Sequence, residues 1–405
     1  MPDHLPHIMK PSFRWHWRSW EDIKAASTFT LTNYTNFILL IIFVALALRQ
    51  IRSQQAAIKK SSHEKRFLKA DDFPPVEEQQ DFDWKTTKPL QYRPFKPKYH
   101  LTMALEKLNP TELLVMDDTY ADRMAYRRRI IAENGKHVVN VNDDARIRPA
   151  VVELYVFLMG TYLPLRFPQV FKLHETEYEQ GKTYMLENTV TGSLFPAKPS
   201  ATTSTTSLLE ILGRTVDEDF LFLVPEQGGG DDDPKYVFEA YVLVCPSGFD
   251  PTEKIGKRLA AIHTPVPGYS SKLEASMDRF FSKIEVGQYV RRVNWAITTN
   301  TDLYSPGHGT NHAHEGDEIE ELDEVDIDKT FMRCERQTLH RLPKSKALVF
   351  AFHTYLYPIE QIKKEGGGED LANAIDGLKM GNVPAMHFYK RGAVWGEAVK
   401  RYLRS

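Results

Sequence analysis

The chain is poor in cysteine, with only Cys245 and Cys334 among 405 residues. Two cysteines build no disulfide framework. No C-x-x-C or C-x-x-C-H occurs, which excludes a paired-thiolate zinc motif and covalent haem attachment. Reduced thiols on the cytosolic side of a membrane are the simpler state for both. Charge of one sign is missing as well. The balance of 52 basic against 54 acidic residues leaves a formal net charge of -2, so electrostatics give no reason to expect nucleic acid. Neither G-x-G-x-x-G nor a P-loop occurs, so nucleotide and phosphate chemistry have no motif behind them. Flavin and ferredoxin motifs and internal repeats are absent too.

What is present is an ordinary folded composition, 42% apolar and 26% charged, with one long uncharged run. The 24 residues from Ala25 to Leu48 carry no charge, and Phe37 to Leu48 is apolar throughout. A membrane span needs roughly 20 mostly apolar residues. The run predicts a single-pass transmembrane anchor over residues 31–49, preceded by a 1–30 segment. A mitochondrial presequence, an interfacial helix and a dispensable leader are the competing readings. Arg49, Arg52, Lys59 and Lys60 follow the run and would place the body in the cytosol, on the endoplasmic reticulum or another endomembrane. Residues 50–90, polar and charged with Pro74 and Pro75, read as a flexible tether.

Residues 91–395 are expected to form the folded domain. Helical patterns cover Leu101 to Leu108, Asp118 to Ile131, Pro149 to Tyr162, Tyr357 to Lys364 and Asp370 to Leu378. A hairpin is expected over Glu175 to Thr191. Further strands are expected over Phe220 to Val224, Tyr236 to Val244, Val290 to Thr298, Phe331 to Leu339 and Ala347 to Tyr355. Strands gathered in the second half with helices beside them give an α+β fold. Residues 196–207, 227–234 and 305–328 read as loop insertions. The last holds His308, His312 and His314, then eight acids between Glu315 and Asp326. His-x-His spacing alone is a weak metal signal, so an exposed charged loop is the expectation there.

The segment that carries chemistry runs from Lys254 to Pro267. A short helical pattern ending at Ile262 delivers His263 into Thr264-Pro265-Val266-Pro267-Gly268, and the two prolines stiffen the loop that holds it. A placed histidine beside an apolar helical face suits haem iron, which needs one strong protein ligand, better than zinc, which needs three or four. An isolated histidine can equally be plain filler. Cys245-Pro246 is the runner-up ligand, against the reading of Cys245 as a buried small hydrophobe. In Arg333-Cys334-Glu335-Arg336-Gln337, alternation puts Arg333 with Glu335 and Gln337 on one face, and Cys334 with Arg336 on the other. An inward arginine could meet a haem carboxylate or an oxygen anion, and a cross-strand salt ladder is the alternative. Arg292-Val293-Asn294-Trp295 sets two polar groups beside an indole able to wall a pocket, or merely to fill a core.

Taken in order, Tyr92-Arg93-Pro94-Phe95, Met116-Asp117-Asp118-Thr119-Tyr120, Arg127-Arg128, Asp217-Glu218-Asp219, Cys245-Pro246-Ser247, Lys254-Ile255-Gly256, Ile262-His263-Thr264-Pro265-Val266-Pro267-Gly268, Asn294-Trp295 and Glu335-Arg336-Gln337-Thr338-Leu339 with Arg341-Leu342-Pro343 resemble the haem-dependent oxidative N-demethylase family. The resemblance runs from about Tyr92 to Tyr355. It implies a PAS-like antiparallel sheet with flanking helices enclosing non-covalent haem b. His263 would be the axial ligand, with Pro265, Pro267 and Trp295 around the cofactor. Arg333 or Arg336 would stand near the iron, with Asn294 as a further polar group, and Asp117 would attract an amine cation. The implied activity is oxidative removal of a methyl group from a small amine with O2, releasing formaldehyde. Electrons would come from a separate reductase or ferredoxin-like donor. The anchor, tether and insertions would make the chain a membrane-anchored eukaryotic relative of fungal type. A haem-based PAS-type sensor and a haem-free, membrane-anchored interaction protein are the two competing classes.

Overall fold

The computed structural model describes residues 67–405 except 143, 179–180, 227–233 and 308–309, with only backbone for the rest of 176–182. In the N-terminal region it describes Lys24, Ile38, Ile41, Ile42, Val44–Leu46, Leu48 and Arg49, which are helical and exposed. Arg66–Ser405 is one compact unit and Met1–Lys65 another.

Alternating apolar residues build the strands. They are β1 (Glu106–Lys107), β2 (Val139–Val141), β3 (Phe171–Tyr178), β4 (Gly181–Asn188), β5 (Ser193–Pro196), β6 (Asp219–Pro225), β7 (Tyr236–Val242), β8 (Tyr289–Thr298), β9 (Phe331–Arg341) and β10 (Leu348–Pro358). Seven of them pair antiparallel in the order β1-β8-β9-β10-β6-β7-β2, while β3-β4-β5 form a small separate sheet. Among the helices are α1 (Tyr120–Asn134), α2 (Ile147–Phe157), α3 (Thr205–Gly213), α4 (Leu259–Ile262), α5 (Ala275–Lys283), α6 (Ile359–Lys364), α7 (Gly368–Met380), α8 (Met386–Tyr389) and α9 (Gly392–Arg404). The result is an α+β fold, a large antiparallel sheet with flanking helices.

The period-two pleat sends neighbouring residues to opposite faces. One face carries Phe220, Phe222, Val242, Val349 and Ala351, buried against Val151 and Leu154 of α2 and Leu208 and Leu212 of α3. Further along, Trp295, Cys334 and Tyr355 meet Leu371 and Ile375 of α7 and Trp395 and Val399 of α9. The opposite face carries Val290, Leu339, Phe350 and Phe352, and is roofed by the excursion between β7 and β8, which contains α4 and α5. That face fronts the cavity described below.

Several expectations are corrected. The transmembrane anchor over residues 31–49 is the first. Part of that stretch lies outside the described residues, and among those described no helix is long and apolar enough to cross a membrane. The uninterrupted apolar run, Phe37 to Leu48, would rise only about 18 Å as a helix against a hydrocarbon core of about 30 Å. The membrane partner, the membrane-anchored kinship and the endomembrane location rested on that span and are withdrawn with it. The tether over 50–90 is corrected from residue 67 onward. Phe82 is buried, Phe73 stacks on Phe157 with centroids 3.8 Å apart, and Leu68 N donates to Gly160 O.

The helix expected over Leu101 to Leu108 is irregular instead and leads into β1, with Ala104 at a positive φ of 49°, while Leu101, Met103 and Leu105 face the cavity. The helical pattern from Glu253 to Ile262 is interrupted. Gly256 takes a positive φ of 79°, leaving only the short turn Pro251–Glu253 and α4. The described residues of 305–328 are not simply exposed. Asn311 and Ala313 are buried, and Ile319, Leu322 and Val325 pack beside α7 and α9. Much of the 227–234 loop lies outside the described residues.

Candidate functional site

A cavity of about 750 Å³ lies between the sheet and the excursion that carries α4 and α5. That is well within the range of roughly 300–1,000 Å³ found for small-molecule and cofactor sites. Register divides its floor into rows. Val290, Leu339 and Phe350 form an apolar row, continued by Leu221. Arg292, Gln337 and Phe352 form the next, and Asn294 pairs with Glu335 in the third. One end is therefore apolar and the other polar. His312 and His314 of the 305–328 segment, with Tyr389 at the end of α8 and Lys390 just after it, line the cavity as well.

His263 caps α4 and faces this space. Its Nδ1 lies 2.8 Å from the Leu259 carbonyl oxygen, which can only accept, so Nδ1 carries the proton and donates it. Nε2 is left as a bare acceptor, the arrangement found at imidazole metal ligands. The ring also stacks on Tyr269, with centroids 4.6 Å apart and planes 10° from parallel. Burial pushes its pKa down to about 4, so the imidazole is neutral at pH 7. Gly268, at the end of the same loop, has φ 74°, and a Cβ there would lie 2.8 Å from Val383. The loop is fixed at both ends.

Three cations face the cavity with incomplete compensation. Arg292 Nε is buried without a hydrogen-bond partner, and burial lowers the pKa of its guanidinium. Lys254 donates to the Ile262 carbonyl at 3.2 Å, lies 4.5 Å from the Phe249 ring centroid, and is pushed by burial to about 8. Lys390, only 3% exposed, bonds Asn294 Oδ1 at 3.1 Å and the Trp295 carbonyl, and is likewise pushed to about 8 by burial. Among the described residues, no three His, Cys, Asp or Glu side chains group in a way that could hold a bare metal ion.

The residues singled out from the sequence divide between the two faces. His263, Pro265 and Asn294 line the cavity, whereas Pro267 lies in the same loop but not on the wall. Trp295 does not line it either, because the residue after Asn294 on a strand must point the other way, into the core with Cys334 and Tyr355. Cys245 is buried in the opposite core, and burial raises its pKa to about 11, which disfavours a thiolate. Arg333 shares the parity of Glu335, but its guanidinium is spent on backbone, donating to Leu303 O at 3.1 Å and to Cys245 O at 2.8 Å. Arg336 is on the far face, donating to Leu113 O at 3.1 Å and to Glu112 O. Asp117 is buried away from the cavity, where its Oδ1 accepts from Thr119 N and Oγ1 at 3.0 and 2.6 Å.

Sequence marks Arg292 only as a polar neighbour of Trp295 and His312 only as half of a weak His-x-His signal, and gives Lys254, Glu335 and Lys390 no site role, yet all five line the cavity. Alternation supplies two of them, since Arg292 shares the face of Asn294 and Glu335 that of Gln337. Lys390 is distant in sequence, and no local pattern marks it.

A second polar group occupies the far face. Arg127 bonds Asp219 at 2.9 Å and Arg123 bonds Asp217 at 2.7 Å. His353 stands 3.6 Å from Asp217 and 4.0 Å from Glu218, and Arg336 stands 3.9 Å from Glu218. Both Glu218 carboxyl oxygens and His353 Nδ1 are buried without hydrogen-bond partners. Compared with known families, residues 104–400 match the one described as haem-dependent oxidative N-demethylase, alpha subunit-like.

Proposed function

This chain belongs to that family, and we propose that it is a haem b-bearing oxidative N-demethylase whose cofactor is held in the cavity by Nε2 of His263. A haem-dependent, oxidative demethylase-type function in general follows from the family. The substrate and the residue roles are our reading.

The observation that carries it is the His263 arrangement. A neutral imidazole, with its proton pinned to a backbone carbonyl, offers one bare nitrogen to a large and mostly apolar cavity. The other lining residues suit the same group. Leu223, Phe238, Phe281, Leu339 and Phe350 provide apolar walls, and Arg292 and Lys254 offer cationic donors to haem carboxylates. Haem, when bound, supplies the iron at which O2 and an N-methyl group react. Balance requires two electrons and two protons per O2, yielding the demethylated amine, formaldehyde and water. Since the sequence has no flavin or ferredoxin motif, those electrons come from a separate reductase.

The protein contributes positions and charges. Arg292, rather than Arg333 or Arg336, is the arginine on the cavity floor and holds anionic oxygen there. Glu335, rather than Asp117, is the floor carboxylate that meets an amine cation.

The test is reconstitution with haem, followed by absorption spectroscopy and formaldehyde detection over a panel of methylated amines with a surrogate electron donor. A Soret band that His263→Ala abolishes or displaces, together with formaldehyde release, is the expected result. An unchanged band in His263→Ala would remove the histidine from the iron. A stable O2 or CO complex with no turnover would favour the sensor class.

A further inference from the structure

The polar end of the cavity contains two opposite charges that do not pair with each other. Lys390 sits just past α8, and its ammonium has three donors, of which two are taken by neutral acceptors, Asn294 Oδ1 and the Trp295 carbonyl. Almost fully buried, it lies 5.5 and 5.7 Å from the ring centroids of Tyr99 and Trp295 and feels the charge of Glu335 through space, but among the described residues no carboxylate comes within ion-pair distance of it. Glu335 lies on β9 directly opposite Asn294 in register. Its Oε2 accepts from Gln337 Nε2 at 2.9 Å, and Oε1 comes no nearer to a cation than Arg333 Nε at 4.0 Å. Both residues line the cavity, and the ring pair His312 and Tyr389, with centroids 4.5 Å apart, bounds the same end.

A buried ammonium without an anion is costly, and bringing a second cation beside it adds repulsion. A simple amine at Glu335 would do that. A molecule with both charges would satisfy Glu335 with its ammonium and give Lys390 the carboxylate it lacks. Resting on the demethylase reading above, we propose that the substrate class is zwitterionic, a small N-methylated amino acid whose ammonium faces Glu335 and whose carboxylate pairs with Lys390. Burial already lowers the Lys390 pKa to about 8, and a carboxylate ligand would raise it. Binding above pH 8 would then take up a proton. The carboxylate that meets Lys390 has one other possible source, a haem propionate, and the experiment separates the two.

Haem-loaded full-length protein is titrated calorimetrically at pH 7 with N,N-dimethylglycine, with N,N-dimethylglycinamide, whose carboxamide is neutral, and with dimethylamine. Haem uptake is read from the Soret band before any ligand is added. Dimethylglycine should bind at least about tenfold more tightly than its amide, as one charge-assisted hydrogen bond warrants. Lys390→Met should bring that ratio close to one, and Lys390→Arg should restore most of it. Equal affinities in the wild-type protein would overturn the proposal. So would a Lys390→Met variant that loses haem but keeps the ratio, since the carboxylate would then belong to haem. Turnover of dimethylamine with no preference for the zwitterion would refute the substrate class and leave the demethylase reading standing. Absence of a Soret band would refute both.

Discussion

His340 lies flat against Tyr289, with ring centroids 4.6 Å apart and planes 4° from parallel, yet neither imidazole nitrogen has a hydrogen-bond partner. The ring is fully buried, and burial lowers its pKa to about 3. Because the folded value lies below the unfolded 6.5, the unfolded chain binds the proton first as pH falls. Stability from this residue is therefore lost from pH 6.5 downward. His340→Phe keeps the stack and removes the orphaned nitrogens. It should gain about 1 kcal/mol at pH 7 and about 2 kcal/mol more at pH 5, measured by denaturant unfolding at both values. A variant less stable than wild type at pH 5 would show that the nitrogens have partners.

Asp217 and Glu218 are adjacent and respond to pH in opposite directions. Burial alone would raise Asp217, but Arg123, His353 and Arg127 outweigh it and hold the carboxyl at about 2. Its contribution is present above the ordinary value of 3.8 and lost as pH falls toward 2. For Glu218, burial with Asp217 and Asp219 beats the pull of Arg336 and Arg127, and its pKa rises well above 4.5. Its folded form keeps a proton that the unfolded chain releases, so stability declines as pH rises past 4.5. Asp217→Asn should cost about 2 kcal/mol at neutral pH and little at pH 2, whereas Glu218→Gln should gain steadily above pH 4.5. Parallel melting curves for the two variants across pH 3 to 8 would contradict these assignments.

The arginines should separate by readout. Arg336 is 1% exposed and donates to the Leu113 and Glu112 carbonyls, so Arg336→Met leaves both acceptors without that donor and should cost about 3 kcal/mol in unfolding experiments. Arg292 faces the cavity with Nε unpartnered, so Arg292→Met should change stability by less than about 1 kcal/mol and alter the haem spectrum instead. The reverse pattern would mean that the far-face group holds the cofactor.

Two glycines near the C-terminal helices should also behave differently. A Cβ at Gly381 would fall 1.3 Å from the Tyr99 carbonyl oxygen, so Gly381→Ala must displace the segment that carries Tyr99 and Leu101 along the cavity. A loss above about 3 kcal/mol together with weakened haem uptake is expected. At Gly396, within α9, the nearest atoms to a Cβ lie at 3.5 and 3.8 Å, and Gly396→Ala should gain roughly 0.5 to 1 kcal/mol. Thermal unfolding of the two variants side by side checks both signs.

Where one residue's neighbours in sequence determine its environment, the reading from sequence was close. The strands from Tyr236, Tyr289 and Phe331 begin within a residue or two of their expected positions, each opening on a pair of aromatic or aliphatic residues. The position of His263 at a helix end before two prolines is legible for the same reason, being local. Leu101 to Leu108 reads as helix because Leu101, Leu105 and Leu108, at spacings of four and seven, suit one helix face. Which arginine reaches the cavity depends on what its guanidinium meets. Arg333 has the right parity but is claimed by carbonyls from two loops, a fact of tertiary structure. The pairing of Lys390 with Asn294, and the folding of His312 onto Tyr389, join segments that share no pattern at all.

The polar end of the cavity is completed by Tyr389 and Lys390, which follow His263 by nearly a third of the chain. At roughly 5–20 residues per second, a ribosome makes His263 many seconds before it makes them. During that interval the histidine loop has no Val383 to pack against, and the cavity lacks a wall. On the proposed haem-binding reading, capture would follow synthesis of the α7–α9 region rather than accompany emergence of the histidine. Ribosome-bound chains arrested at Gly381 should take up no haem, whereas released full-length chains should.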